Sequence, residues 1–306
     1  MNNNNSRRHR HGDLDKYYTN PTIADDITRV IQTFLREKHL ETSFDRIVEP
    51  AAGNGAFLRP LLVFGKPLTA FDIAPEHPEI VEADFFDVKN SSRTLYVGNP
   101  PFGHAANLAI RFFNHAAANS AEIIAFILPR SFRKSSVQDR LDRQFHLVLD
   151  HEIPTDAFLV NGQKHDVSCV LQIWQRLPQQ RPKRVIATSP WIEFTDPGNA
   201  DHAIRRVGRR AGDLLTGLNH NRSTTLFFKI SHPKVLDILR ENAELRALGN
   251  NTSAVRSICK SEILYVVEQA MVPKSAPSLH SICRRTGAKI GSALNFHLGV
   301  TSCGYN

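Results

Sequence analysis

A chain of 306 residues can build one full-sized hydrophobic core and a smaller second lobe, because a single core stops growing near about 250–300 residues. Hydrophobic residues make up 41% and charged residues 22%, which excludes wholesale disorder. The net charge of +8 is unevenly placed: residues 1–180 hold 20 Lys+Arg against 21 Asp+Glu, whereas residues 181–306 hold 18 against 9, so the basic end suits a partner rich in phosphate.

The longest strongly apolar run, Ile123–Leu128, falls far short of the roughly 20 residues a bilayer requires and reads as a buried strand, so no membrane partner is expected. Arg7 and Arg8 are followed by Arg10, His11, Gly12 and Asp13, where a secretion signal needs its apolar segment. Cys169, Cys259, Cys283 and Cys303 show neither zinc-ligand spacing nor a disulfide pattern. No metal is expected, and the chain is expected to work in a reducing cytoplasm as a monomer or weak dimer.

In chain order, residues 1–15 lack apolar periodicity and read as a flexible basic arm. Asn20 and Pro21 form a helix start, with Ile23, Ile27, Val30, Ile31 and Phe34 recurring at helical spacing. Arg46–Pro50 predicts a strand, Ala51–Gly55 a tight loop, and Ala56–Leu62 a helix. Leu68–Ile73 and Leu95–Val97 predict strands, Leu108–Ala118 a helix, Ile123–Leu128 a strand and Val137–Phe145 another helix. This alternation implies an α/β fold whose parallel sheet is covered on both faces. His146–Ile153 and Val167–Trp174 have no helix between them and are expected to pair antiparallel at one edge.

Leu177–Arg184 is a proline-bearing basic linker, giving a boundary at 178/179. Beyond it, strands are predicted near Val185–Thr188 and Thr224–Ile230, and helices over Pro233–Asn242 and Lys260–Gln269. The expected organisation is a catalytic part over 16–178, a small basic α+β lobe over 179–272 and a loosely attached tail over 273–306.

Gly53 and Gly55 directly follow the first long strand, where a ligand approaches backbone; the third glycine of a dinucleotide fingerprint is missing, favouring a nucleotide-like ligand without pyrophosphate. Asp72 ends the next strand, placed to accept from both hydroxyls of a ribose. Asp84, followed by Phe85 and Phe86, repeats the placement with a carboxylate for an adenine amine and a ring to cover the base. Asn99 follows the Leu95–Val97 strand at the same edge. Its side-chain carbonyl and the Pro100 backbone carbonyl are two acceptors that can grip one planar NH2 and free its lone pair for attack on an electrophilic methyl, with no strong base required. Pro100 and Pro101 stiffen the loop, and Phe102 offers a face for stacking.

Asn99-Pro-Pro-Phe102 closely resembles the Asn-Pro-Pro-Tyr/Phe motif of S-adenosylmethionine-dependent methyltransferases that act on an exocyclic or amide nitrogen. Tyr17-Tyr-Thr-Asn-Pro21 is similar to the segment opening that family's cofactor pocket, Glu49 to Gly55 to its methionine-binding loop, and Phe126–Phe132 to a strand and turn of DNA adenine methyltransferases. The resemblance, spanning roughly residues 16–175, implies a Rossmann-like seven-stranded sheet and S-adenosylmethionine as cofactor. It implies cofactor contacts from Tyr17, Thr19, Glu49, Ala51, Gly53, Gly55, Asp72, Ile73, Asp84, Phe85 and Asn99, and catalysis by Asn99, Pro100, Pro101 and Phe102.

The basic lobe at the C-terminal end is like that of DNA adenine methyltransferases with a C-terminal recognition region, which implies duplex DNA with a flipped adenine as substrate. A second ring opposite Phe102 is expected from Phe158 or Trp174. Arg205, Arg206, Arg209, Arg210 and Arg222 are expected to contact phosphate. Only about 126 residues follow the catalytic part, which implies a short or relaxed recognition site. The runner-up partner is ribosomal or other structured RNA, methylated on adenine. A side-chain glutamine substrate and a non-catalytic nucleic-acid-binding module are the remaining alternatives.

Overall fold

In the computed structural model, the described residues are 17–154, 157–160, 163–165, 167–183, 186–241, 243–252 and 255–271, and those up to Ala270 form one compact unit. The expected arm (1–15) and tail (273–306) lie outside the described residues. A two-residue strand, β1 (Tyr18–Thr19), leads into α1 (Pro21–Glu37). Asn20 caps this helix by accepting the Thr22 N–H at 3.1 Å, and Pro21 occupies the first turn, where a missing N–H costs nothing. Ile23, Ile27, Ile31, Phe34 and Leu35 form its buried stripe.

Then follow β2 (Arg46–Glu49), α2 (Leu58–Leu61), β3 (Leu68–Asp72), β4 (Val81–Glu82), β5 (Thr94–Gly98), α3 (Asn107–Ala118), β6 (Ala121–Pro129), α4 (Ser135–Gln138), β7 (Phe145–Glu152), β8 (Phe158–Val160), β9 (Gln163–His165) and β10 (Cys169–Arg176). Seven of these strands form one sheet in the order β4-β3-β2-β5-β6-β10-β7, parallel except for β10, which runs antiparallel to both neighbours. The β7–β10 antiparallel pair matches expectation, with β10 inserted between β6 and β7. Alternate residues of β6 supply both cores: Ile123, Ala125 and Ile127 pack on the α1 side, and Ile124, Phe126 and Leu128 on the α3 side. Chain order reverses between β2 and β5, which opens a crevice at the carboxyl ends of those strands.

Two expected helices are shorter. The one after the glycine loop is only α2 with a following 3-10 turn, closed at Gly65 (φ 60°). The helix expected over Val137–Phe145 stops at Gln138, the Asp142 N–H that would continue it going instead to Asn114 Oδ1 at 2.8 Å, and Arg181, 4% exposed, caps the carbonyls of this turn. Its Nε donates to the Phe145 carbonyl at 2.6 Å and its Nη2 to the Gln138 carbonyl at 2.9 Å, while the guanidinium lies over the Trp174 ring. The hairpin β8–β9, between the two strands expected to pair antiparallel, pairs with β1 in a separate three-stranded sheet.

A third sheet, antiparallel throughout, contains β11 (Ile192–Thr195), β12 (His202–Arg205), β13 (Leu214–Leu215) and β14 (Thr225–Ile230) in the order β11-β14-β12-β13. It is accompanied by α5 (Lys234–Glu241), α6 (Ala243–Gly249) and α7 (Lys260–Met271). The strand expected near Val185–Thr188 does not form over 186–188; Val185 itself lies outside the described residues. The Lys134 ammonium, just after β6, meets the Glu262 carboxylate of α7 at 3.0 Å, with both side chains buried. No helix among the described residues is long and apolar enough to cross a membrane.

Candidate active site

Three loops meet at the crevice. After β2, the chain turns through Gly53 (φ 55°) and Gly55 (φ 83°), conformations that L side chains rarely adopt. A Cβ at Gly53 would lie 2.9 Å from the Tyr18 ring, and one at Gly55 would lie 2.8 Å from Leu58, so packing within the protein itself requires both glycines. Asp72, at the end of β3, holds this loop in place. One carboxylate oxygen accepts the Gly53 N–H at 2.7 Å and the other the Ala74 N–H at 2.9 Å. Tyr18 donates its hydroxyl to Glu76, tying β1 across the same loop.

At the end of β5, Asn99 donates Nδ2 to the Tyr17 carbonyl at 2.9 Å. This bond fixes which end of the amide is nitrogen and leaves Oδ1 as the acceptor. Neither Asn99 Oδ1 nor the Pro100 carbonyl accepts a hydrogen bond among the described residues. Gly103 (φ 65°) turns the chain toward α3 where a Cβ would lie 2.8 Å from Leu108, and the Phe102 carbonyl receives the Leu108 and Ala109 N–H groups. Turn and helix therefore hold each other.

These loops enclose a cavity of about 330 Å³. It is lined by Tyr17, Ala51, Gly53, Asp72, Ile73, Asp84, Phe85, Asn99, Pro100, Pro101 and Phe102, all expected site residues. Thr19, Glu49 and Gly55 stand behind the wall and do not line it. Asp84 spends one carboxylate oxygen on the Phe86 N–H as the cap of a short 3-10 turn. Phe158 and Trp174, the rings proposed opposite Phe102, are both wholly buried; Phe158 packs edge-on against Tyr17 and Trp174 edge-on against Phe113. The aromatic wall comes instead from Tyr17, Tyr18, Phe86 and Phe112. Leu108, Arg111 and Phe112 also line the cavity, with the Arg111 guanidinium 4.3 Å from the Phe86 ring centre. Their i, i+3, i+4 spacing on the helix following the asparagine turn was the available signal.

Glu49 ends β2 beneath this site. It is 2% exposed, and its Oε2 has no partner. Burial, and then the Asp72 charge, push its carboxyl well above the usual carboxylate range. The folded state therefore keeps a proton that the unfolded chain releases near its ordinary value of 4.5. Stability from this group is full below that value and falls as pH rises toward the folded-state value. Glu49→Gln, which keeps the shape without the ionisation, is expected to have the higher Tm at neutral pH, with the gap narrowing as pH falls toward about 4.5 and closed below it. Melting curves across pH 4–8 check this; parallel curves would refute it.

The five arginines of the basic end are not equivalent. Arg205 is half-buried and donates to Thr224 Oγ1 at 3.2 Å; Arg210 pairs with Asp213 at 3.0 Å and Arg222 with Asp196 at 3.6 Å. Arg206 and Arg209 are exposed. Among the described residues, no group of three or more His, Cys, Asp or Glu could hold a metal ion.

No family model and no curated protein matches the sequence. Solved structures are similar over about half the chain. A candidate RNA methyltransferase from Pyrococcus horikoshii is 13% identical with a TM-score of 0.42, over 54% of this chain and 88% of that one. The magnesium protoporphyrin IX methyltransferase of Synechocystis, solved with bound S-adenosylmethionine, is 10% identical with a TM-score of 0.36, over 51% and 81%. The Pyrococcus abyssi tRNA (uracil-54, C5)-methyltransferase is 15% identical with a TM-score of 0.32, over 47% and 37%. Likenesses of this size concern architecture only and assign neither substrate nor reaction. The strand order seen directly in this chain is that of a Rossmann-like, seven-stranded, mostly parallel α/β sheet.

Proposed function

We propose that the chain transfers a methyl group from S-adenosylmethionine to the exocyclic amine of adenine in DNA, the base being turned out of the duplex into the cavity. Residues 16–178 carry the transfer, and residues 179–272 hold the nucleic acid. The observation that carries this reading is the Asn99 amide, anchored by the Tyr17 carbonyl so that its oxygen, beside the unclaimed Pro100 carbonyl, is left on the cavity that Asp72 and Asp84 also line.

The residues suit the cofactor. The cavity volume of about 330 Å³ falls within the range of about 300–1,000 Å³ of small-molecule sites. Asp72 uses one lone pair on each oxygen for Gly53 and Ala74, leaving one on each for the two hydroxyls of a ribose. Asp84 retains a free carboxylate oxygen for an adenine amine, and Ile73, Phe85 and Phe86 supply apolar walls. The bound sulfonium supplies an electrophilic methyl group. Asn99 Oδ1 and the Pro100 carbonyl hold both hydrogens of the target amine, drawing its lone pair out of the ring. As the new N–C bond forms and the methyl's bond to sulfur breaks, releasing a neutral thioether, the nitrogen would become positive, and the same two oxygens would stabilise that charge. The now acidic nitrogen then loses one proton to water. Among the described residues, no histidine or lysine lines the cavity, and the reading asks for alignment more than for a base.

Asp72→Ala is expected to weaken S-adenosylmethionine binding by roughly 10- to 100-fold, the worth of hydrogen bonds to a charged group. Titration calorimetry measures it, and an unchanged dissociation constant would remove the ribose assignment. Presenting labelled cofactor with duplex DNA and with structured RNA tests the acceptor: methylation of RNA alone would replace DNA as substrate.

A further inference from the structure

A second cavity, of about 880 Å³, lies along β11, which among the described residues pairs with β14 alone. Trp191, Phe194, Lys229 and Lys260 contribute to its wall. Trp191 stands on a turn tied by four hydrogen bonds. Its N–H donates to Ser189 Oγ at 3.2 Å and its carbonyl accepts the Ser231 N–H at 3.1 Å. The Pro190 carbonyl accepts from the Ser231 hydroxyl at 2.7 Å, and the Ser189 hydroxyl donates to Glu268 of α7. This ordered turn holds its indole only half-buried, and the ring joins no aromatic pair among the described residues. Trp174, by contrast, is wholly buried. A rigid backbone presenting a large ring at a cavity is preorganised for contact, since little conformational freedom remains to be lost.

The charges beside the ring are also placed in advance. The Lys260 ammonium is held 5.3 Å from the centre of the Phe194 ring, and exposed Lys229 stands opposite Glu193 across the β11–β14 ladder. Two cations against one carboxylate leave the wall net positive within the basic third of the chain.

We infer that this cavity takes an unpaired nucleotide of the nucleic acid, its base stacked on the Trp191 indole and its phosphate met by Lys260 and Lys229. Every base has a face to stack, so such a site adds affinity without reading sequence. The inference rests on the nucleic-acid partner proposed above and is independent of methyl transfer.

Short oligothymidylate and oligouridylate are the probes, with tryptophan emission and the anisotropy of a labelled strand as readouts. Either oligonucleotide is expected to quench the wild-type emission, and oligodeoxyuridylate compared with oligouridylate, which share a base, identifies the preferred sugar. Trp191→Leu is expected to abolish the quenching and weaken binding about 5- to 160-fold, the equivalent of about 1–3 kcal/mol of stacking. Trp191→Phe, which restores a ring, should recover most of that affinity, and Lys260→Gln should flatten the salt dependence. Wild-type affinity in Trp191→Leu, or quenching that survives it, overturns the inference. Wild-type protein that quenches with an oligonucleotide yet transfers no methyl group would count against the reaction alone.

Discussion

Asn99→Ala is expected to lower methyl transfer by about 10²–10³-fold, the usual consequence of deleting one preorganised polar group aimed at developing charge. Cofactor affinity should change by no more than severalfold. The amide makes one bond within the protein, from Nδ2 to the Tyr17 carbonyl, so truncation leaves that carbonyl without its donor but breaks no core packing. The Pro100 carbonyl remains and can still hold one amine hydrogen, which is why a residual rate is expected. Asn99→Asp keeps the acceptor but sets a carboxylate oxygen against the Tyr17 carbonyl, so it should rescue little. Single-turnover rates with saturating cofactor measure the effect, and a rate within threefold of wild type would refute the role of the amide.

The second large effect concerns stability. Lys134→Met is expected to cost about 3–5 kcal/mol, because it leaves the Glu262 carboxylate buried without its cation. Lys134 also donates to the Ser257 carbonyl at 2.9 Å, and Glu262 also accepts the Cys259 N–H at 2.8 Å ahead of α7, so the pair sits within a small satisfied network. In Tm, the loss corresponds to a fall on the order of 10 °C. Combining Lys134→Met with Glu262→Leu removes both charges and should recover most of the loss, short of the cap at α7. If the single variant melts within 2 °C of wild type, the pair contributes no net stability. Lys134 lies one residue beyond the 3-10 turn that follows β6, so the pair also links α7 to the ligand-binding edge of the sheet.

Much of the parallel half was legible because its signals are local. Asn20-Pro21 marks a helix start by capping chemistry, and the unbroken apolar run of β6 implies burial on both faces. Asn99 and Asp72 were placed correctly at strand ends because a strand's end is visible in sequence. What failed depends on distant partners. Arg181 reads as one cation in a basic linker, yet from 43 residues beyond Gln138 it caps the end of a helix. Trp174 offers a ring, but whether its strand position faces the cavity or Phe113 follows only from sheet register. β11 and β12 are short, and their charged and glycine-bearing flanks mask the alternation that would have marked them as strands. Glu49 read as a ligand for the cofactor because it precedes the glycine loop; its burial behind the cavity wall is a tertiary fact.

The most direct test of the account is to incubate the protein with S-adenosylmethionine labelled in its methyl group and adenine-containing duplex DNA, digest the DNA and identify the labelled nucleoside. Label on the exocyclic nitrogen of deoxyadenosine, absent with Asn99→Ala, is the result expected. Label on a ring carbon, on another base, or undiminished in Asn99→Ala would contradict an amide-held amine as the nucleophile.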